Sequence, residues 1–88
     1  MFNEGDLIKF YEIETDEYLS ELEVVYCEDV PKAEGAFICH FKAVDPWPLK
    51  EPDESLDYSI RDPVGKVYTA TFDPGASSLT TWAFRILP

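Results

Sequence analysis

The chain has 88 residues, enough for one domain with a thin core, and 45% of them are hydrophobic and 15% aromatic, which excludes intrinsic disorder. Eighteen acids against seven bases give a net charge of −11, a field that repels nucleic acid and anionic lipid and favours basic partners. Direct nucleic-acid binding and membrane association are therefore not expected, and neither is a membrane span, since no apolar run approaches the ~20 residues required.

Hydrophobic periodicity is near two through most of the chain. After Gly5, residues 6–13 read as a first strand, with Ile8 and Phe10 on one face and Lys9 and Tyr11 on the other. A short helix at 15–22 is an alternative reading of the next segment, because Thr15 is a cap residue and Tyr18, Leu19 and Leu22 fall at helical spacing. Residues 21–27 alternate again, with Leu22, Val24 and Tyr26 against Glu21 and Glu23. The 36–44 run sets Phe37, Cys39, Phe41 and Ala43 on one face and His40 and Lys42 on the other.

Residues 45–54 hold three prolines, Pro46, Pro48 and Pro52, which remove backbone donors and restrict their neighbours. This stretch reads as a stiff loop with Trp47 near its centre. Strands resume at 56–61 and 66–72, joined by Asp62-Pro63-Val64-Gly65, a sequence with turn chemistry. After a further turn at Asp73-Pro74-Gly75, Trp82, Phe84 and Ile86 form the inward face of a last strand at 80–87. The expected core contains Ile8, Phe10, Leu22, Val24, Phe37, Phe41, Tyr58, Ile60, Tyr68, Phe72, Trp82 and Phe84. Five to six short antiparallel strands with turn signals between them predict a mostly β single domain over 1–88, a small barrel or sandwich.

The opening Phe2-Asn3-Glu4-Gly5-Asp6-Leu7-Ile8-Lys9-Phe10 and the closing Trp82-Ala83-Phe84-Arg85-Ile86-Leu87 resemble the small SH3-like barrels found among bacteriophage accessory proteins. The resemblance covers some twenty residues and carries over no functional residue. In size and acidity alone, the chain is similar to phage-encoded DNA mimics such as the uracil-DNA glycosylase inhibitors and the anti-restriction proteins.

No motif in the chain carries catalysis. His40 is the only histidine, and on a strand its side chain points away from that of the adjacent Cys39, out of hydrogen-bond reach. Two cysteines and one histidine fall short of a zinc site. The acidic group Glu51, Asp53, Glu54 and Asp57 lacks EF-hand spacing, so neither metal nor cofactor is assigned. An 88-residue domain also has little volume for a cleft, and a non-enzymatic role is expected. Cys27 and Cys39 form no CxxC pair, and the polar, acidic N-terminal residues do not read as a signal peptide. Both thiols are accordingly expected to be unbonded, in a cytoplasmic protein, or one of the host cytoplasm or virion were it phage-encoded.

The segment between Lys9 and Lys32 holds no basic residue. Its acids, Glu12, Glu14, Asp16, Glu17, Glu21, Glu23, Glu28 and Asp29, are the candidate partner-binding residues. Were 12–16 and 21–23 extended, alternate carboxylates would lie roughly 6.6–6.8 Å apart on one face, comparable to successive phosphates of a nucleic-acid strand. Trp47, between two prolines, is a candidate apolar anchor. The bland alternatives are a solvated outer face for the acids and a barrel cover for Trp47. These features predict an inhibitor that docks its acidic face on a basic, nucleic-acid-binding protein surface. A structural component of a virion or other assembly, and a regulatory adaptor domain, are the alternatives.

Overall fold

A computed structural model describes residues 2–29, 36–44, 52–78 and 80–87. Six strands follow one another: β1 (Leu7–Glu12), β2 (Tyr18–Asp29), β3 (Phe37–Ala43), β4 (Asp57–Arg61), β5 (Val67–Phe72) and β6 (Trp82–Leu87). All pair antiparallel and close in the order β1-β2-β3-β6-β5-β4, with β4 returning to β1. Closure removes the unpaired edges that a small open sheet would expose. No described segment is helical. The helical alternative at 15–22 gives way to a tight turn and the start of β2, whose Tyr18 is paired with Tyr11.

Alternation puts one face of every strand inside. Ile8, Phe10, Leu22, Val24, Phe41, Tyr58, Ile60, Tyr68, Phe72, Trp82, Phe84 and Ile86 are all buried, as the period of two requires. Phe84 sits at the centre, with ring centroids 5.2 Å from Phe10, 5.5 Å from Phe72 and 5.9 Å from Phe41, tilted or edge-on as aromatic quadrupoles prefer. Phe37, expected in the core, is half-buried at its margin. Phe2 lies outside any strand pattern, yet it is buried against Phe37, Phe41 and Tyr68.

Two turns are set by local chemistry. Gly5 (φ +88°) precedes β1, and Gly65 (φ +89°) closes the β4–β5 hairpin, a conformation L side chains rarely adopt. In that hairpin Asp62 Oδ1 accepts from the Val64 and Lys66 amides, while the Gly65 amide donates to the Asp62 carbonyl.

The cysteines depart from expectation. Cys27 and Cys39 are joined by a disulfide, with Cα atoms 4.1 Å apart. The cause is a β-bulge in β2: Val24 pairs with Phe41 but Tyr26 pairs with His40, so Val25 is an extra residue. Past the bulge the alternation changes phase. Tyr26, expected beside Leu22 and Val24, is instead 48% exposed, and Cys27 turns inward directly opposite the buried Cys39.

Candidate functional site

The acids of the 12–29 segment do not form one continuous row. Only Glu12 belongs to β1, and residues 13–17 turn back into β2 rather than extending. The turn is closed by the Glu12 amide donating to the Glu17 carbonyl at 3.0 Å. Asp16 takes φ +55°, a left-handed conformation that Asp tolerates better than most residues. The Glu17 amide donates to Thr15 Oγ1 at 3.3 Å. Glu12, Glu14, Asp16 and Glu17 are thereby gathered at one end of the barrel, the last three exposed.

Farther along β2, the bulge separates Glu21 and Glu23 from Glu28. All three remain at least partly exposed, and Asp29 pairs with Phe37 at the strand's end. Trp47 and Glu51 lie outside the described residues, as does most of the Pro-rich loop.

Neighbouring strands supply cations that are remote in sequence. Lys42 of β3 is paired in register with Glu23, and Lys42 Nζ lies 3.2 Å from its Oε2. Lys9 of β1 is in register with Glu21. Arg61 of β4 places Nη2 3.0 Å from Asp16 Oδ1 and its guanidinium 4.0 Å above the Tyr11 ring, which in turn meets Tyr18 edge-on. Each exposed ion pair contributes only about 0.2–1 kcal/mol, but it cancels local charge. Among the described residues, Glu12, Glu14, Glu17 and Asp57 have no such cation.

Three of those uncancelled carboxylates converge. Glu12, Glu14 and Asp57 line a shallow cleft of about 140 Å³ together with Ile13, Leu56 and Ser55. Asp57 also accepts from Thr71 Oγ1 at 3.1 Å. Ile13 and Leu56 are exposed, so the cleft offers apolar surface within a rim of negative charge. No group of three or more His, Cys, Asp or Glu among the described residues is placed to hold a metal ion.

Asp53, at the entry to β4, sits where its surroundings favour the ionised form. Ser55 Oγ and the Ser55 amide both donate to Asp53 Oδ1, at 2.7 and 2.8 Å, and hold this carboxyl below its ordinary range.

His40 sits between Tyr26 and Ala83 on neighbouring strands, its ring stacked on Tyr26 at 4.1 Å. It is buried although it points away from the core, and its Nε2 has no hydrogen-bond partner among the described residues. Cys39 is bonded to Cys27, so the pair His40–Cys39 offers no free nucleophile.

The segment's acidity was legible from residue types alone. Missed as members of the site were Lys9, Lys42 and Arg61, which only strand register brings to these positions, and Ile13, Leu56 and Asp57, which meet because the β1–β2 turn lies beside the entry to β4. The alternation of β1 and β3 does put Lys9 and Lys42 on outer faces, but without the pairing it names no partner. No protein-family model matches the chain, and no curated protein or solved structure is significantly similar to it.

Proposed function

We propose that the barrel is a non-enzymatic inhibitor or modulator that docks its acidic turn end on a basic protein surface, one that ordinarily holds nucleic acid. The observation that carries this reading is the uncompensated group Glu12, Glu14, Glu17 and Asp57 around exposed Ile13 and Leu56. Among the described residues Lys42 answers Glu23 on β2 and Arg61 answers Asp16 in the turn, whereas Glu12, Glu14, Glu17 and Asp57 have no ion pair and leave uncompensated charge at the turn end of a −11 chain. Long-range attraction would steer the encounter, and the apolar floor would receive the hydrocarbon stem of an arginine or lysine while the rim meets its charge. The resemblance to SH3-like barrels of phage accessory proteins, and the bulk likeness to phage DNA mimics, fit this role. Trp47 is proposed as an additional apolar anchor.

The test begins with capture of partners from a cell lysate on the immobilised barrel, followed by association kinetics with the captured protein. Neutralising the turn end with E12Q, E14Q and E17Q should slow association about tenfold or more at low salt, because charge near an interface acts chiefly on the encounter rate. Neutralising Glu21 and Glu23, which face Lys9 and Lys42, should change it far less. A triple variant that associates as fast as wild type would reduce the turn end to a soluble exterior.

A second reading, a small structural component of a virion or other assembly, draws support from exposed apolar side chains away from this end. Val64 is 88% exposed, and Val67 and Leu87 are also in solvent. That model expects recovery in particles and contacts spread over several faces.

A further inference from the structure

The two halves of β2 are held differently. From Tyr18 to Glu23 the strand pairs with β1, with β3 joining on the other side from Leu22, and the last ties on the β1 side are the Gly5 amide to the Val24 carbonyl and the Val24 amide to the Asp6 carbonyl. Past the bulge, Tyr26–Asp29 pair with β3 alone among the described residues: Tyr26 with His40, Cys27 with Cys39, Glu28 with Ile38 and Asp29 with Phe37. A strand end with one neighbour and exposed outward residues such as Tyr26 and Glu28 belongs to the low-stability end of a fold. The Cys27–Cys39 disulfide falls inside this singly paired stretch, with Cys39 buried and Cys27 partly exposed. β3 itself stays anchored on its other side, since Phe37–Phe41 pair with β6.

We propose that this disulfide is a redox-controlled staple: oxidised, it clamps the outer end of β2 onto β3; reduced, it lets that end open while the rest of the barrel remains folded. A small thiol of the glutathione class supplies the electrons. Its thiolate attacks the Sγ of the partly exposed Cys27, the S–S bond breaks, and the electron pair leaves on Cys39 Sγ, which takes up a proton. A second thiol attacks the resulting mixed disulfide at the small-molecule sulfur. It releases Cys27 as a thiol and forms the small disulfide. Two thiols are oxidised and one protein disulfide is reduced, a two-electron exchange. The barrel beyond the staple does not depend on it, because Phe10, Phe41, Ile60, Phe72 and Phe84 pack on one another from five other strands. The same chain thus presents an ordered β2 end in oxidising compartments and an opened one in reducing compartments. The device is independent of which macromolecule the barrel binds.

Hydrogen exchange followed by mass spectrometry, on the oxidised protein and on protein reduced with dithiothreitol, tests the proposal. Reduction should speed exchange at residues 26–29 at least tenfold and leave 57–61 and 67–72 unchanged. A variant carrying both C27A and C39A should resemble the reduced protein and ignore the reductant. Unchanged protection at 26–29 would show the staple to be redundant. Loss of protection in every strand would show it to be a global tie rather than a local one. Two titratable thiols in the unreduced, unfolded protein would remove its premise. Should the double variant fail to fold, the reduced wild-type chain decides alone.

Discussion

At the scale of single residues, the chemistry of the surface depends on partners that lie far away in sequence. Between Lys9 and Lys32 the chain reads as an unbroken acidic stretch, and that reading is correct as composition. Yet Asp16 is neutralised by Arg61, forty-five positions away, and Glu23 by Lys42. No local pattern announces either pair, because register and turn geometry decide which side chains meet. Asp53 is a contrasting case, in which the partner is local. Its two bonds from Ser55 favour the ionised form, and its amide donates to the Tyr58 hydroxyl at 2.8 Å, tying the turn to the core margin. A carboxyl whose folded value is depressed stabilises the fold above its unfolded value of 3.8; that contribution is lost as pH falls through the lower, folded value. An NMR titration should therefore give Asp53 a midpoint below 3.8, and S55A should bring it back up toward 3.8. A midpoint unmoved by S55A would mean that these bonds do not hold the carboxylate.

Among elements, six strands and the β4–β5 turn follow directly from alternation and from Asp62-Pro63-Val64-Gly65, since a buried face every second residue and a glycine at positive φ are both written in residue types. The bulge is not. One extra residue in β2 changes the phase, and Val25 carries no mark that separates it from the valine before it. Strict alternation consequently sends Tyr26 inward and Cys27 outward, the reverse of their positions, and it hides the disulfide. The Gly65 turn gives the cleaner test of local control. A Cβ built there meets nothing within 4 Å, so the cost of a side chain is one of backbone conformation alone. G65A should lower unfolding stability by about 1–2 kcal/mol with the fold retained, and G65N should cost less, since Asn enters the left-handed region more readily. Urea denaturation measures both. Equal losses for Ala and Asn would point to packing rather than φ as the constraint.

On the scale of the whole molecule, charge and size must be weighed together. The barrel measures 34 × 27 × 27 Å and carries a net charge of −11. At about 0.01 M ionic strength the screening length is roughly 30 Å, so every carboxylate acts on every other across the molecule. At about 0.15 M it is roughly 8 Å, and only immediate neighbours interact. Two ion pairs among the described residues, Glu23–Lys42 and Asp16–Arg61, are both exposed and offset little of that repulsion. Added salt should therefore stabilise the fold, with most of the rise in thermal midpoint complete by about 0.15 M, where screening has already reached neighbour distances. The same salt should slow capture of a basic partner, because the steering field is the quantity being screened. These opposite responses separate a generic soluble exterior from a surface used for attraction: a solvated face predicts the stability gain alone, whereas a docking face predicts both. Calorimetry across a sodium chloride series measures the first and association kinetics the second. A thermal midpoint that falls as salt is added would mean that cross-strand pairing of Lys9, Lys42 and Arg61 outweighs the repulsion, leaving too little uncancelled charge at the turn end to steer anything.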